Sequence, residues 1–370
     1  MTRAADALFC DENVYRNRGS MSRKRTTPGG RATIRDVAER AGVSVATVSR
    51  VLAGTYPVAP ATRARVTKAV AALDYVVNAH ARALSGHSAK TVAILVSAVD
   101  AAFYAKIAQG VEDQAAAEGR LCLICTTGGD PDREMAILTL LREQHADAVI
   151  LVGAVVEDEE YRRRMAQVAG SLHAAGSRLV LVGRPSLGPD VPAVTVEYDN
   201  SAGAYALTSH LLSQGHERIL YLGGAPGHST AEERIAGYRR ALAEHGIAED
   251  PALQVLGMFG RPFGYDAMRR LLAAGPPGFT AVFGSDDLVA AGAMQALREA
   301  GLSVPQDISM VGYNDISPAL DLRLTTVHIP SEELGRQAVR LALHSPDLTP
   351  HVVLGTHVVI RDSVRSRLRA

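Results

Sequence analysis

The residues whose types and spacing suggest the most specific chemistry lie between Ala41 and Leu52. Arg50 carries a forked guanidinium that can bind the edge of a guanine with two hydrogen bonds. Hydroxyl side chains can donate to phosphate oxygens, and small apolar side chains can contact a thymine methyl group. The hydroxyl residues of this stretch are Ser44, Thr47 and Ser49, and the small apolar residues at its start are Val45 and Ala46. A surface of this composition is typical of contact with the major groove of DNA.

Two short helices are predicted to position these side chains. Thr33 and Asp36, followed by apolar residues, predict a capped helix start, and Gly42 predicts the end of that helix. Ser44 can then cap a second helix, whose exposed face carries Arg50. Helical spacing turns three apolar residues of the second helix inward, namely Val48, Val51 and Leu52. Two helices around a turn with glycine form a helix-turn-helix, and a helical hairpin within a larger bundle is the alternative.

A third amphipathic helix and the distribution of charge favour the helix-turn-helix. The helix is predicted from Pro60 to Tyr75, with one apolar stripe formed by Val66, Ala69, Val70 and Leu73. From Met21 to Lys90 the chain has 12 Lys or Arg and 3 Asp or Glu, whereas the region after Lys90 has 24 and 33. The neutral whole chain therefore combines a basic head with an acidic body. Cations clustered on one module are what binding to phosphates requires.

Three ordered runs resemble the head of the LacI/GalR family of bacterial transcription regulators. They are residues 33–38 (Thr-Ile-Arg-Asp-Val-Ala), 41–52 (Ala-Gly-Val-Ser-Val-Ala-Thr-Val-Ser-Arg-Val-Leu) and 73–75 (Leu-Asp-Tyr). The resemblance continues through the body and covers about residues 31 to 365. It implies a dimeric repressor whose ligand-binding core alters the affinity of the head for operator DNA.

Residues 78 to 85, Asn-Ala-His-Ala-Arg-Ala-Leu-Ser, form a second informative segment. The segment is too short to be a stable helix in isolation. In the LacI/GalR family the matching segment folds into a hinge helix only on operator DNA and wedges a leucine into the minor groove. Leu84 matches that leucine, and Val77 stands where many members carry proline. The resemblance implies DNA contacts from Asn78, Ala81 and Leu84, and we also include Thr33 among the DNA-binding residues of the head.

The remainder of the chain alternates apolar, strand-like runs with amphipathic helices, a pattern that predicts parallel sheets covered by helices. One series of strands is predicted at residues 92–96, 121–125, 148–152 and 179–182, and a second at residues 219–222, 254–256, 281–283 and 309–311. Two series predict two doubly wound lobes with a ligand cleft between them, at the carboxyl ends of the strands. The predicted fold class is α/β, with a three-helix head and a two-lobed core like that of periplasmic binding proteins.

These patterns divide the chain into four predicted segments. They are a disordered basic tail at residues 1–31, a helix-turn-helix DNA-binding domain at 32–77, a hinge helix and linker at 78–90, and a two-lobed effector-binding and dimerisation domain at 91–370. The low apolar content of the tail predicts disorder. Met21 directly precedes the basic run Ser-Arg-Lys-Arg and is an alternative to Met1 as the start of translation.

Loops that follow the predicted strands carry residue types suited to a small polar ring. An aromatic face covers the apolar side of a sugar or base ring, and a guanidinium with amides and hydroxyls binds its polar edge. The predicted effector-binding residues are Phe103, Tyr104, Ser229, Thr230, Arg234, Phe259, Ser285, Asp286 and Asn314. The family resemblance supports the last five of these, within runs such as Arg-Ile-Ala-Gly-Tyr and Gly-Tyr-Asn-Asp.

Several of these residues have purely structural alternatives. Phe103 and Phe259 can be core residues. Asp286 and Ser229 can cap the helices that follow them. Arg234 can form an ion pair at the surface.

Asn314 departs from the family, in which many members have aspartate at the matching position. Asparagine accepts one hydrogen bond, donates one, and removes a charge from the cleft. We therefore expect an effector with an additional acceptor or an anionic group near Arg234, such as a phosphorylated or acidic sugar.

Other functional classes find little support in the sequence. Cys122 and Cys125 form a C-x-x-C, but the apolar run from Leu121 predicts a buried strand in which these thiols point to opposite faces. The glycine-rich residues 223–227 lack the spacing of a phosphate-binding loop, and no nucleophile motif or histidine ligand spacing occurs. We expect no cofactor, no metal and no enzyme activity, with a carboxylate pair such as Asp286 and Asp315 as the enzymatic alternative.

A solute-capture protein of the periplasm shares the two-lobed body but not the basic head. The first 30 residues lack the continuous apolar segment of a signal peptide, and no apolar run approaches the roughly 20 residues that span a bilayer. We therefore expect a cytoplasmic protein without membrane contact.

The resemblance implies a homodimer, and two heads related by a two-fold axis predict a pseudo-palindromic operator with half-sites about one helical turn apart. The chain ends within seven residues of Ser363, which predicts a dimer without a C-terminal heptad helix for tetramer formation. A ligand in the cleft controls operator affinity only by binding the lobe arrangements with different affinities. Both an inducer and a corepressor fit this scheme.

Overall fold

The computed structural model describes residues 32–53, 57–75, 90–156 and 158–368. The chain divides into two compact units, residues 1–81 and 82–370. Each unit is described by itself.

The first unit contains the three predicted helices. They are α1 (Ile34–Ala41), α2 (Val45–Ala53) and α3 (Pro60–Ala72). Thr33 accepts a hydrogen bond from the Asp36 amide, and the Asp36 carboxylate accepts one from the Thr33 amide at 2.7 Å, so the predicted cap of α1 is a capping box. Gly42 ends α1 in a left-handed conformation, with φ of 66°. Ser44 Oγ accepts from the Thr47 amide at 3.1 Å, which confirms the predicted cap of α2.

A small apolar core holds these helices together. Its buried members are Val37, Ala38, Ala41, Val48, Val66 and Ala69, and its partly buried members include Val51, Leu52, Val70 and Leu73. The inward stripes predicted for α2 and α3 are therefore confirmed. The helix α3 is shorter than predicted, because it ends at Ala72 and a turn follows before Tyr75.

The second unit is built on two parallel sheets. The strands of the larger sheet are β1 (Thr91–Val96), β2 (Leu121–Thr126), β3 (Ala148–Val152), β4 (Arg178–Val182), β5 (Ala193–Tyr198) and β11 (His351–Leu354). The strands of the smaller sheet are β6 (Ile219–Leu222), β7 (Gln254–Val255), β8 (Ala281–Gly284) and β9 (Ser309–Val311). The larger sheet has the strand order β11-β5-β4-β3-β1-β2, and the smaller has the order β7-β6-β8-β9.

Helices cover both sheets, as the alternating pattern predicts. In chain order they are α4 (Ala102–Ala117), α5 (Pro131–Glu143), α6 (Glu159–Ala174), α7 (Asn200–Ser213), α8 (Ser229–Glu244), α9 (Arg261–Ala273), α10 (Asp287–Glu299), α11 (Ser317–Asp321) and α12 (Ser331–His344). Apolar clusters lie between these helices and the strands. The two-lobed α/β core is therefore confirmed.

Three connections join the lobes. The chain first crosses between β5 and α7, at Asp199. It returns through β10 (Thr326–His328) and crosses again through β12 (His357–Val359), and these two strands pair antiparallel. We call residues 91–198 and 331–354 the first lobe, and residues 200–325 and 360–368 the second lobe.

The predicted strands of both series are present, but β5, β11 and the two crossing strands were not predicted from the sequence. The expectation that Leu121 to Cys125 is a buried strand is wrong. β2 is the edge of the larger sheet, and 63% of Leu121, 37% of Leu123 and 48% of Ile124 is exposed. An apolar run predicts a strand that is shielded from water, but it does not tell whether the same chain or a partner shields it. Partial burial raises the pKa of the Cys122 thiol to about 11, so this thiol is not a reactive thiolate.

Among the described residues, no helix is both long and apolar enough to cross a membrane.

Candidate functional site

The outward face of α2 carries the side chains predicted to read DNA. Ser44, Val45, Ala46, Ser49 and Arg50 are exposed, and 42% of the Val45 surface is accessible. Between them, Val48 is completely buried in the three-helix core, so packing fixes which face of α2 points outward. Thr47 is partly buried and Thr33 is exposed, and both take part in helix caps. The predicted hinge contacts Asn78, Ala81 and Leu84 lie outside the described residues.

The exposed surface of this unit is basic. Within residues 32–53 and 57–75, the exposed cations are Arg35, Arg40, Arg50, Arg63, Arg65 and Lys68, and the exposed carboxylates are Asp36, Glu39 and Asp74. The Thr33 amide and hydroxyl donate to Asp36 and hold the pKa of that carboxyl below its usual range, so this charge belongs to the cap of α1. An excess of guanidinium and ammonium groups around α2 suits a phosphate backbone.

Arg234 is the centre of the predicted effector residues in the second lobe. It lies on α8, is 2% exposed, and its guanidinium stacks 3.8 Å from the centroid of the Tyr313 ring. Nη1 donates to the Ser285 carbonyl at 2.6 Å and Nη2 donates to Asn314 Oδ1 at 2.9 Å. Nε donates to Asn200 Oδ1 at 2.9 Å. Arg234 therefore joins three segments that lie far apart in the sequence.

The acceptors of Arg234 are all neutral. Among the described residues, no carboxylate forms a salt bridge with this guanidinium, so the alternative of a surface ion pair is wrong. Asp286 and Glu233 attract this charge electrostatically from beyond salt-bridge distance, so hydrogen bonds and the Tyr313 ring hold it at close range. Asn314 has a φ of 99° and offers its amide oxygen to Arg234. An aspartate at this position, as in many family members, would offer a carboxylate oxygen instead.

Aromatic residues of the first lobe form a wall beside this group. The Phe103 ring contacts the Tyr104 ring at 5.5 Å and the Tyr198 ring at 6.0 Å between centroids, both edge to face. Tyr198 shares a side-chain hydrogen bond with Thr230 of the second lobe. Tyr104 packs closely against Gly153, the residue that follows β3. A Cβ at this position would come within 2.8 Å of the Tyr104 hydroxyl, so a glycine is needed there. Sequence reasoning missed Tyr198, because β5 was not predicted.

Ser229 connects the two lobes and does not cap α8. Its amide donates to the Val155 carbonyl at 2.9 Å, and its hydroxyl accepts from the Val155 amide at 3.4 Å. Val156 and His228 form an antiparallel bridge next to it. The N-cap of α8 is His228, without a side-chain cap bond. We call the contact between Val155–Val156 and His228–Ser229 the lobe bridge.

Asp286 caps a helix, which is the structural alternative that the sequence left open. Its carboxylate accepts from the Val289 amide at 2.6 Å and caps α10. Burial raises the pKa of Asp286. Phe259 is half-buried and belongs to no apolar cluster of the described residues, whereas Phe103 packs at the margin of the main core.

A cavity of about 350 Å³ opens at the carboxyl ends of β1, β2, β3 and β4. Of the nine predicted effector residues, only Tyr104 lines it. Its polar lining includes Ser97, Thr127 and Asp130, and His228 reaches it from the second lobe. The cavity lies where doubly wound sheets bind ligands, but in the first lobe, where the sequence suggested few ligands.

Comparison with known proteins identifies the family. Residues 33–78 match the bacterial regulatory proteins of the lacI family, and residues 208–364 match the periplasmic binding protein-like domain. The chain is 36% identical over 321 residues to the transcriptional regulator GalR of Escherichia coli, covering 86% of this chain and 90% of GalR. It is 33% identical to the transcriptional repressor PurR of Mannheimia succiniciproducens, covering 90% and 99%.

The chain belongs to the LacI family. It is a DNA-binding transcriptional regulator.

Solved structures of LacI-family proteins have the same fold. The complex of the regulator CelR with cellobiose is 33% identical, with a TM-score of 0.65, and covers 90% of this chain and all of that one. The lac repressor dimer bound to operator and the anti-inducer ONPF is 25% identical, with a TM-score of 0.75, and covers 91% and 100%. The homologues of this LacI-family chain are regulators and not enzymes.

The carboxylates of the enzymatic alternative are both occupied in this LacI-family chain. Asp286 caps α10 through its bond from the Val289 amide. Asp315 accepts from Arg361 at 2.7 Å and shares a hydrogen bond with His328 at 3.0 Å, and these hydrogen bonds hold the pKa of Asp315 below its usual range. No group of metal-binding side chains occurs among the described residues.

Proposed function

We propose that this LacI-family regulator is a repressor that binds a pseudo-palindromic operator as a homodimer and responds to a small sugar-like effector between the lobes. The outward face of α2 carries the proposal. A buried Val48 fixes that face, so Val45, Ala46 and Arg50 are presented together within a basic unit. Arg50 supplies bidentate recognition of a guanine, while Val45 and Ala46 supply apolar contact.

The division of labour between segments is part of the proposal. Residues 32–77 bind the major groove, and residues 78–90 supply the hinge helix, with Asn78, Ala81 and Leu84 in the minor groove. Residues 91–370 bind the effector and form the dimer. Such a repressor acts where the bacterial chromosome is, in the cytoplasm.

Neighbouring residues of both lobes support an effector site in the cleft. Ring contacts join Phe103, Tyr104 and Tyr198 of the first lobe, and a hydrogen bond joins Arg234 and Asn314 of the second; together they combine an apolar face with polar donors and acceptors. This combination suits a sugar ring. CelR, which is similar over most of the chain, holds cellobiose.

The exposed edge of the larger sheet supports the homodimer. Leu121, Leu123 and Ile124 leave an apolar strand uncovered on β2, and exposed apolar edges of this kind are characteristic of association. A second copy related by a two-fold axis can cover this edge with its own. The lac repressor is a dimer on its operator.

Selection of binding sites from random DNA tests the proposal. Full-length protein should enrich a two-fold symmetric site with half-sites about one helical turn apart. The variant Arg50→Ala should lose about 1–3 kcal/mol of discrimination at one base pair of each half-site. As a control, Arg65→Ala on α3 should leave every base preference unchanged. Enrichment of no symmetric site, or unchanged preferences in Arg50→Ala, contradicts the proposal.

A further inference from the structure

Helices α5 and α6 cover one face of the larger sheet without packing closely against each other. They share an apolar cluster with β1, β3 and β4, to which they contribute Leu138, Leu141, Met165 and Leu172. On the opposite face α4 and α12 pack along their lengths, whereas the backbones of α5 and α6 stay apart. A groove of about 200 Å³ remains between them, and we call it the α5–α6 groove.

The α5–α6 groove has an apolar floor and a polar rim. Leu138 and Leu172 are 2% and 1% exposed and form the floor, with Met135 and Val168 partly buried beside them. The rim consists of Thr139, Arg142, Arg164, Gln167 and Ser171. Spacings of three and four residues place these side chains on the facing sides of the two helices. None of the residues predicted to bind the effector lines the groove, which is therefore distinct from the effector cleft.

The charged side chains of the groove are all positive. Arg142 and Arg164 line it, and no carboxylate does so within the part of the chain that the structure describes. Among the described residues neither guanidinium has a hydrogen bond or salt bridge, and Arg164 Nε is a buried donor without a partner. Glu160, one turn earlier on α6, does not reach Arg164. A buried N–H without water or protein acceptor favours a ligand that accepts hydrogen bonds.

The carboxylates nearest to this donor are engaged elsewhere. Arg164 also lines the cavity at the strand ends, whose carboxylates are those of Asp130, Glu134 and Asp158. Glu134 forms a bidentate pair with Arg184 at 3.0 and 2.7 Å. Asp130 accepts from two amides of α5, and Asp158 accepts from one amide of α6, so both are helix caps. The positive charge of Arg164 is therefore available to a ligand in the groove.

We propose that the α5–α6 groove is a second ligand site, which takes a small anion with a short aliphatic tail. The head group is a carboxylate or a phosphate, whose oxygens accept from Arg142 and Arg164. The side chains of Gln167 and Ser171 have no hydrogen bond among the described residues, so both can donate to the remaining oxygens. The tail lies along the apolar floor.

The volume and the floor of the groove define the size of the ligand. A volume of about 200 Å³ is below the roughly 300–1,000 Å³ of sites for drug-sized ligands. A bare inorganic anion would leave the apolar floor in contact with water, whereas an aliphatic chain removes it from water. Hexanoate and butyl phosphate combine both properties and differ in the head group.

Isothermal titration calorimetry of the full-length protein with hexanoate, butyl phosphate, inorganic phosphate and neutral hexanamide tests the inference. At least one of the two tailed anions should bind at least tenfold more tightly than both inorganic phosphate and hexanamide. Arg142→Met and Arg164→Met each remove donors to the head group, and Ser171→Glu places a carboxylate at the rim. Each should weaken the tailed anion at least tenfold. Arg163→Met, at an exposed neighbour on α6 that does not line the groove, is the matched control and should not change the affinity.

Each outcome supports or overturns the second site. Tight binding of hexanoate alone or of butyl phosphate alone supports it and identifies the head group. Inorganic phosphate or hexanamide that binds as tightly as both tailed anions overturns it, because the tail or the charge would then contribute nothing. No binding of either tailed anion also overturns it.

The variants locate the anion. Arg142 and Ser171 line the groove but not the cavity at the strand ends, whereas Arg164 lines both. A loss in Arg164→Met alone would place the anion in that cavity and overturn the inference. An equal loss in Arg163→Met would show unspecific attraction to the basic side chains of α6, with the same consequence. Both Arg142 and Ser171 are exposed, so their variants should keep the circular dichroism spectrum of the wild type.

Discussion

Asp287 offers a direct test of the geometry that holds the effector residues of the second lobe. It is completely buried, accepts from the Thr326 hydroxyl at 2.6 Å and accepts from the Ile316 amide at 2.8 Å. It therefore fixes the segment that presents Asn314 to Arg234. Burial raises the pKa of Asp287 to about 7, and Thr326 and Ile316 oppose that rise only in part. The perturbation is Asp287→Asn, in which the amide oxygen accepts from Ile316 and the amide nitrogen donates to Thr326.

The raised pKa fixes the sign of the pH dependence. Between the ordinary pKa of 3.8 and about 7, folded Asp287 keeps a proton that the unfolded chain has lost. Its contribution to the free energy of unfolding is complete below 3.8 and is lost as the pH rises to about 7. At about 1.4 kcal/mol per pH unit, the wild type should lose about 2–3 kcal/mol from this group between about pH 5 and pH 7.5. Asp287→Asn cannot titrate and should not show this loss.

Urea unfolding followed by circular dichroism at both pH values measures the effect. For each protein, the change in the free energy of unfolding between the two pH values is determined. The change in the variant is then subtracted from the change in the wild type. Burial lowers the pKa of His210 and of His216, whose contributions are lost as the pH falls, and these cancel in the comparison. Asp321→Asn removes an exposed carboxylate from α11 and should behave as the wild type. If Asp287→Asn retains the full loss, burial of this carboxyl is not its source.

Four further predictions follow from single contacts. Arg234→Met leaves three buried acceptors unpaired at about 1–3 kcal/mol each, so urea unfolding should show a loss of about 3 kcal/mol or more. Asn314→Asp gives Arg234 a carboxylate partner and should weaken glucose 6-phosphate or gluconate at least tenfold by calorimetry. Tight binding of a plain neutral sugar, unaffected by this change, would contradict an anionic effector. Ile124→Asp should convert a dimer to a monomer in sedimentation velocity, and Leu140→Asp, at another exposed apolar position, on α5, should not. Thr33→Ala removes the cap of α1 and should cost about 1 kcal/mol of head stability by thermal unfolding.

The head could be predicted almost completely from the sequence because its determinants are local. Thr33, Gly42 and Ser44 act on backbone groups within a few residues, and helical spacing selects Val48 as an inward residue. The same argument explains why the strands of both lobes were located from apolar runs. Only the end of α3 moved, since the last turn of a helix depends on a few hydrogen bonds.

Exposure and pairing depended on the tertiary structure. The apolar run of β2 predicts a strand, but only the strand order makes it an edge whose Leu121 is exposed. β5 carries Tyr198 into the aromatic wall, and only its position between β4 and β11 in the larger sheet brings Tyr198 there. The cavity near Tyr104 likewise exists only where four strand ends meet.

The sequence by itself determined a basic helix-turn-helix head, a two-lobed α/β core and the residue types of the cleft, because periodicity, caps and charge are properties of neighbouring residues. The tertiary structure alone decided what each cleft residue does. In the folded chain, Arg234 is buried among neutral acceptors from Asn200, Ser285 and Asn314. Asp286 caps a helix and Ser229 forms part of the lobe bridge. The open cavity lies in the first lobe. These roles depend on residues far apart in the chain, whose distances no local pattern contains.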